Sequence, residues 1–161
     1  DLTAVMNPAI TYGEVHGKMR SFLRLPIRLK RIAIVAAITA PRVKRRLNTI
    51  GFEATIDWLK RRPRQPIGDM AQSVTIARIA QAAIRRAPGS YNCLTRSVTV
   101  WWLLGGDGRT NIRFGVGRKD GTDLVFHAWV ERDEVVINDA ADIATRYAPF
   151  FSAPPPGTRF D

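Results

Sequence analysis

Cys93 is the only cysteine of the chain, in Ser90-Tyr91-Asn92-Cys93-Leu94, between a Pro88-Gly89 turn and a strongly apolar run. That is where a nucleophile is placed. The thiolate is the attacking form of a cysteine, and the unpaired N–H groups and dipole at the first turn of a helix favour it. The same N–H groups can supply part of an oxyanion hole. Downstream, His127 sits in the strand-like Phe126-His127-Ala128-Trp129-Val130, and Asp139 ends the next such segment, Val135-Val136-Ile137-Asn138-Asp139. Taken singly, each has a bland reading. A lone cysteine is more often buried and inert, a strand histidine more often a core residue, and Asp139 or its near competitor Asp142 a turn cap. Together, Cys at a helix start, His on a strand and Asp after the following strand give the order of a nucleophile, base and orienting acid. Cys93 is then the nucleophile, with its own N–H in the oxyanion hole. His127 is the general base and later acid, and Asp139 orients and charges His127. Trp129 shares the face of His127 by two-residue alternation and is expected in the core. His16, in a polar N-terminal stretch, is read as a surface residue.

These residues need particular elements to bring them together. Asp69-Met70-Ala71-Gln72 has capping-box spacing and opens a helix carrying Val74, Ala77, Ile79, Ala80 and Ile84. Arg85 and Arg86 suit its negative end, and Pro88-Gly89 stops it. A second helix is expected from about Tyr91 to Leu104, capped by Ser90 or Asn92. Its end is apolar nearly all round, so it should be central and buried. Strands are expected over 112–118, 124–131 and 135–138, with Lys119-Asp120-Gly121-Thr122 as a hairpin turn. A three-residue turn of Arg132, Asp133 and Glu134 would pair Glu131 with Val135 and set His127 directly opposite Asp139. A two-residue turn would pair His127 with Ala140 and send Asp139 to the other face.

Ahead of these elements, residues from about 15 to 62 read as helical. Pro26, Pro41 and Pro63 are expected at starts or breaks. Val43, Leu47, Ile50 and Ala54 fall on one helical face, and Gly51 is expected to weaken that helix without ending it. The Pro- and Arg-rich stretch at 62–68 reads as a linker. It divides a basic helical extension, 1–64, from a core over 65–161, the two packed as one compact unit. The tail with Pro154-Pro155-Pro156-Gly157 should be extended.

A chain of 161 residues with 45% apolar content supports one well-buried core. One cysteine excludes an internal disulfide and suits a reducing compartment. Two histidines and one cysteine form no recognisable zinc set, and no cofactor or metal is expected. The longest apolar run, Ile32 to Ile38, falls short of the roughly 20 residues that span a bilayer. It lies too deep for a secretory signal, so a cytoplasmic location is expected. The chain starts at Asp1 rather than Met, which suggests that upstream residues were removed. The charge is uneven: residues 18–64 hold fourteen Lys or Arg against Glu53 and Asp57, a net +12, in a chain of net +11. The remainder is therefore at −1. Beside the bland reading of a solvated face, such a field suits an acidic partner or peripheral contact with an anionic membrane. No aromatic-studded basic motif speaks for nucleic acid.

Asn92-Cys93-Leu94-Thr95-Arg96-Ser97 with its apolar helix, then Ile112-Arg113-Phe114-Gly115-Val116-Gly117, His127-Ala128-Trp129-Val130-Glu131 and Asn138-Asp139, together resemble a known family. It is the transglutaminase-like cysteine proteases of lasso-peptide biosynthesis, the leader peptidases of the microcin J25 processing type. The resemblance covers roughly residues 69–148. It implies an α+β, transglutaminase-like or papain-like core of helices packed on a small antiparallel sheet, with an N-terminal helical extension. It also implies removal of the leader peptide from a ribosomally synthesised precursor, freeing the core for macrolactam closure by an ATP-dependent lasso cyclase. The leader would be presented by a recognition element, a winged-helix protein or domain that this sequence does not display. Family members usually carry Gly in the turn after His-Ala-Trp-Val-Glu, where this chain has Arg132-Asp133-Glu134. Two other readings stand beside this one: a transglutaminase-like acyl or amide transferase, and a basic docking module without catalysis.

Overall fold

The computed structural model describes residues 26–62, 68–106, 108–119 and 123–150. His16, the linker prolines and the Pro-rich tail lie outside these residues. Three helices come first: α1 (Ile27–Lys60), α2 (Met70–Arg86) and α3 (Cys93–Leu103). Strands β1 (Thr110–Lys119), β2 (Asp123–Arg132) and β3 (Val135–Val136), a short helix α4 (Ile143–Arg146) and β4 (Ala148–Phe150) follow. The strands form one antiparallel sheet in the order β3-β2-β1-β4. The fold is α+β, helices against a small antiparallel sheet, as expected.

Small side chains let the helices approach closely. Ala36, Ala40 and Val43 of α1 and Ala77 and Ala80 of α2 are fully buried, and such short side chains leave room for neighbouring helices to interdigitate. Helix α3 is central: nine of its eleven residues are buried, which matches its nearly all-round apolar pattern. Its Trp101 indole donates to the Thr110 carbonyl at 3.1 Å and so fixes the helix to the start of β1. On the sheet, Phe114 packs edge-on against Phe52 of α1 and stacks on Phe150 of β4.

Helix α1 departs from the sequence reading twice. Pro41 sits inside the helix rather than at a break. It removes one backbone donor, the partner of the Ala37 carbonyl, and, one residue on, the Arg42 side chain donates to the Ile38 carbonyl at 2.9 Å. Gly51, expected only to weaken the helix, breaks it: its φ of 82° and ψ of −179° separate two helical stretches. Positive φ suits glycine, which lacks the Cβ that makes that region strained. The break resets the helical phase. Val43 is buried, but Ile50 and Ala54 are exposed, and the inward positions after the break are Thr55 and Leu59.

Hairpin β1–β2 has the register Lys119↔Asp123, with the turn itself outside the described residues. Hairpin β2–β3 is the important correction. Its pairs are Glu131↔Val136 and Arg132↔Val135, a two-residue turn rather than the expected three. Asp133 and Glu134 both have positive φ, 48° and 67°, the backbone that a tight primed turn requires. Arg109 makes this tolerable without glycine. It grips Asp133 through Nε at 2.9 Å and Nη2 at 2.5 Å, and its carbonyl accepts the Asp133 N–H at 3.0 Å.

Candidate active site

Cys93 is the first residue of α3. Gly89, at φ 106°, turns the chain out of α2, and Lys44 of α1 ties the intervening loop by donating to the Ser90 carbonyl at 2.6 Å. Asn92 is the cap: its Oδ1 accepts the Thr95 N–H at 3.0 Å and the Thr95 hydroxyl at 2.8 Å. Arg96 N–H closes the first turn on the Asn92 carbonyl. The N–H groups of Cys93 and Leu94 precede that first intrahelical bond, so they point out of the helix end beside the sulfur. Cys93 itself is 2% exposed.

His127 lies on β2 opposite Gly115 of β1. A Cβ on Gly115 would fall 2.7 Å from Tyr147 Cβ and 2.9 Å from the Trp129 ring, so the missing side chain is what admits both aromatics. Tyr147 stacks on the His127 imidazole, centroids 4.8 Å apart, and Trp129 lies nearly parallel to it at 6.3 Å. The Trp129 indole is fixed in turn by donating to Glu131 Oε1 at 2.8 Å, and Glu131 Oε2 is held by Arg113 at 2.8 Å.

Asp139 reaches His127 although the observed register would send it elsewhere. Continued regular pairing would put it on the far face of the sheet. Instead β3 ends at Val136. Ile137 N–H still bonds to the Val130 carbonyl at 3.0 Å, but Val130 N–H is then taken by the Asn138 side chain, Oδ1 at 2.6 Å. A side-chain acceptor replaces the next backbone one, the chain bends, and Asp139 Oδ2 arrives 2.8 Å from His127 Nε2. Its Oδ1 accepts the Ala140 N–H at 2.8 Å. The competitor, Asp142, is instead near Arg146, at 3.9 Å.

Early termination of β3 also leaves an open edge on β2, and α3 fills it. Ser97, one turn beyond Cys93, donates to the Ala128 carbonyl at 2.8 Å and accepts from Asn138 Nδ2 at 3.0 Å. Gln81 of α2 donates to the Asn138 carbonyl. The helix bearing the thiol, the strand bearing the imidazole and the bend bearing the carboxylate are therefore joined through one serine and one asparagine. The sequence reading assigned neither a role. The available signal was the four-residue spacing from Cys93 to Ser97, which shares a helix face.

The electrostatics follow from this placement. Burial would lower the His127 pKa, but the hydrogen bond to Asp139, the hydrogen bond and charge of Cys93, and the Asp139 charge outweigh it and raise it from 6.5 to about 9. Burial pushes the Asp139 carboxyl upward, while the His127 and Ala140 hydrogen bonds and the nearby His127 and Arg146 charges carry it below its usual 3.8. The second ring nitrogen, Nδ1, is buried with no partner of regular hydrogen-bond geometry. Cys93 nevertheless acts on the ring, so the two groups are close but imperfectly aligned. Cys93, His127 and Asp139 line one cleft of about 360 Å³, with Gln81, Arg85, Arg96 and Asn138 among its walls. A smaller hollow of about 240 Å³, bordered by Arg28 and Gln72, lies away from them. Among the described residues no cluster of His, Cys, Asp or Glu could hold a metal ion.

A thiol and an imidazole facing one cleft, with a carboxylate behind the imidazole, define a class: cysteine-centred acyl chemistry. Residues 32–152, about three-quarters of the chain, match the transglutaminase-like superfamily. The chain belongs to that superfamily, whose members are generally cysteine enzymes. No curated protein and no solved structure matches it.

Proposed function

We propose that this chain is a cysteine peptidase that cuts the leader from a ribosomally made precursor of the lasso-peptide type. The observation that carries the reading is the convergence of Cys93, His127 and Asp139 on one cleft, with His127 bonded to Asp139 at 2.8 Å. The resemblance of the Cys-Leu-x-Arg-Ser helix and the His-Ala-Trp-Val-Glu strand to the leader peptidases supplies the substrate. Superfamily membership supports the cysteine chemistry.

In this reading the Cys93 thiolate attacks the scissile carbonyl carbon. The resulting oxyanion lies against the Cys93 N–H at the start of α3. His127, protonated at neutral pH, gives its proton to the leaving amine as the C–N bond breaks, leaving a thioester. Water then attacks the thioester carbonyl, His127 takes the water's proton, and the C–S bond breaks to return the thiolate. Asp139 holds the ring so that one nitrogen faces sulfur throughout and stabilises its charged form. A recognition protein or domain presents the leader, and the freed core passes to an ATP-dependent cyclase. The basic α1 segment is the surface assigned to docking, on such a partner or on an anionic membrane.

The test is mass spectrometry of a cognate precursor incubated with its recognition element and this protein. Two fragments with one water added are expected, and Cys93→Ala should stop their formation without unfolding the chain. Undiminished cleavage by Cys93→Ala would end the peptidase reading. A product in which an added amine replaces water would instead make the protein an acyl transferase working through the same thioester.

A further inference from the structure

Arg96 lies three residues beyond Cys93 on α3, and both line the cleft. Arg96 is partly buried, and among the described residues it has no ion pair and no side-chain hydrogen bond. Charges withdrawn from water are normally paired. Elsewhere, the partly buried Arg113 is paired with Glu131, and the partly buried Arg46 lies over the Trp58 ring. A second guanidinium comes to the same cleft from α2. Arg85 Nη1 donates to Gln81 Oε1 at 3.0 Å, and Gln81 is tethered through Nε2 to the Asn138 carbonyl, so Arg85 is anchored at the rim. The one carboxylate lining the cleft, Asp139, is already engaged by His127 and Ala140. Neither arginine belongs to the basic 18–64 segment. Their presence here is therefore not a by-product of that segment's composition.

We propose that Arg96, seconded by Arg85, forms an anion subsite beside the nucleophile, and that the substrate carries a carboxylate close to the bond Cys93 attacks. The inference rests on the reading of Cys93 as nucleophile and adds the charge of the substrate. A guanidinium is suited to the task because its planar fork of donors matches a carboxylate two bonds at a time.

The experiment uses the full chain and two thiol reagents of nearly equal size and the same mechanism, iodoacetate and iodoacetamide. Second-order rates of Cys93 alkylation are read by intact mass. The ratio of the two rates cancels any change in overall thiol reactivity. In Arg96→Gln the iodoacetate-to-iodoacetamide ratio should fall about five- to tenfold, on the scale of one nearby charge at an intermediate dielectric. It should stay within about twofold of the parent in Arg96→Lys, and fall less in Arg85→Gln, whose cation is more exposed and better screened. A parent-like ratio in Arg96→Gln overturns the anion subsite and leaves the nucleophile standing. So does a ratio as low in Arg96→Lys as in Arg96→Gln, because charge is then not the cause. Failure of both reagents to label Cys93 in the parent overturns the nucleophile, and the subsite with it.

Discussion

His127 keeps its proton at neutral pH because its hydrogen bonds and charge interactions with Asp139 and Cys93 outweigh its burial. Its pKa lies at about 9 against 6.5 when unperturbed. Protonated His127 therefore contributes folding stability that is fully present below pH 6.5 and is lost as pH rises through about 9. Asp139 behaves in the opposite sense. Held below 3.8, it contributes above that value and loses the contribution as pH falls through its depressed pKa. In Asp139→Asn, one source of the rise disappears. The His127 ring, followed by NMR, should titrate at lower pH than in the parent, and precursor turnover should fall by up to about 10⁴-fold through loss of the correct tautomer. The loss is smaller if Cys93 and His127 ionise each other unaided. An unchanged His127 midpoint in Asp139→Asn would remove Asp139 from its assigned role, as would a crippled Asp142→Asn beside a mild Asp139→Asn.

At the scale of elements, the bend after β3 and the cleared face of β1 set the geometry. Asn138→Ala removes the acceptor of the Val130 N–H and the donor to Ser97. A buried donor left unsatisfied costs about 1–3 kcal/mol, so the thermal midpoint should drop, and turnover should drop more steeply because the Asp139 bend loosens. Gly115→Ala inserts a Cβ at 2.7 Å from Tyr147 Cβ. Overpacking of this kind costs about 1–3 kcal/mol and should push Tyr147 off the imidazole, visible as a changed His127 titration. A Gly115→Ala protein with parent stability and an unshifted His127 would refute that account of the close contact. Much of this was legible in the sequence. The Asp69 cap, the buried α3 with Cys93 in its first turn and the strand carrying His127 all follow from local patterns. The hairpin register was not legible, because the sequence there lacks the glycine that marks a left-handed position and Arg109, far off in sequence, supplies the compensation. The right partner for His127 was thus expected for the wrong reason. It arrives through a bend made by Asn138, and no periodicity announces a side chain standing in for a backbone acceptor. Gly51 misled in the same way, since a break inside a helical pattern shows only as a change of phase.

Across the whole molecule, the basic helix α1 and the candidate cleft occupy different places. The basic residues of α1 face outward with exposed Ile27, Ile34 and Ile38 among them, while the cleft is built from α2, α3, β2 and the bend at Asn138. Among the described residues no helix is long and apolar enough to cross a membrane. The arginines of this region are not equivalent. Arg46 and Arg62 stack on Trp58, with guanidinium carbons 4.2 and 4.6 Å from the ring centroid, and Arg45 and Arg61 are exposed. Replacing Arg45 and Arg61 by Gln should weaken binding to anionic vesicles or to an acidic recognition protein with little effect on stability. Replacing Arg46 and Arg62 should also lower the thermal midpoint, since each cation–π contact is worth about 0.5–1 kcal/mol at exposed sites. Binding that is indifferent to salt and to all four substitutions would reduce this region to a solvated face.

The spread of the site along the chain, from Cys93 through His127 and Asp139 to Tyr147, has a consequence for synthesis. The ribosome delivers the thiol first and the imidazole, carboxylate and aromatic cover later. On the proposed reading of Cys93 as nucleophile, a growing chain lacks the His127 imidazole and the Asp139 carboxylate for as long as the sheet is unfinished, and the thiol is without their help while neighbouring chains on the polysome are being made. Ribosome-bound chains stalled before residue 127 should react with iodoacetamide at the rate of an unassisted cysteine. Enhanced reactivity in those chains would show that α3 alone activates the sulfur.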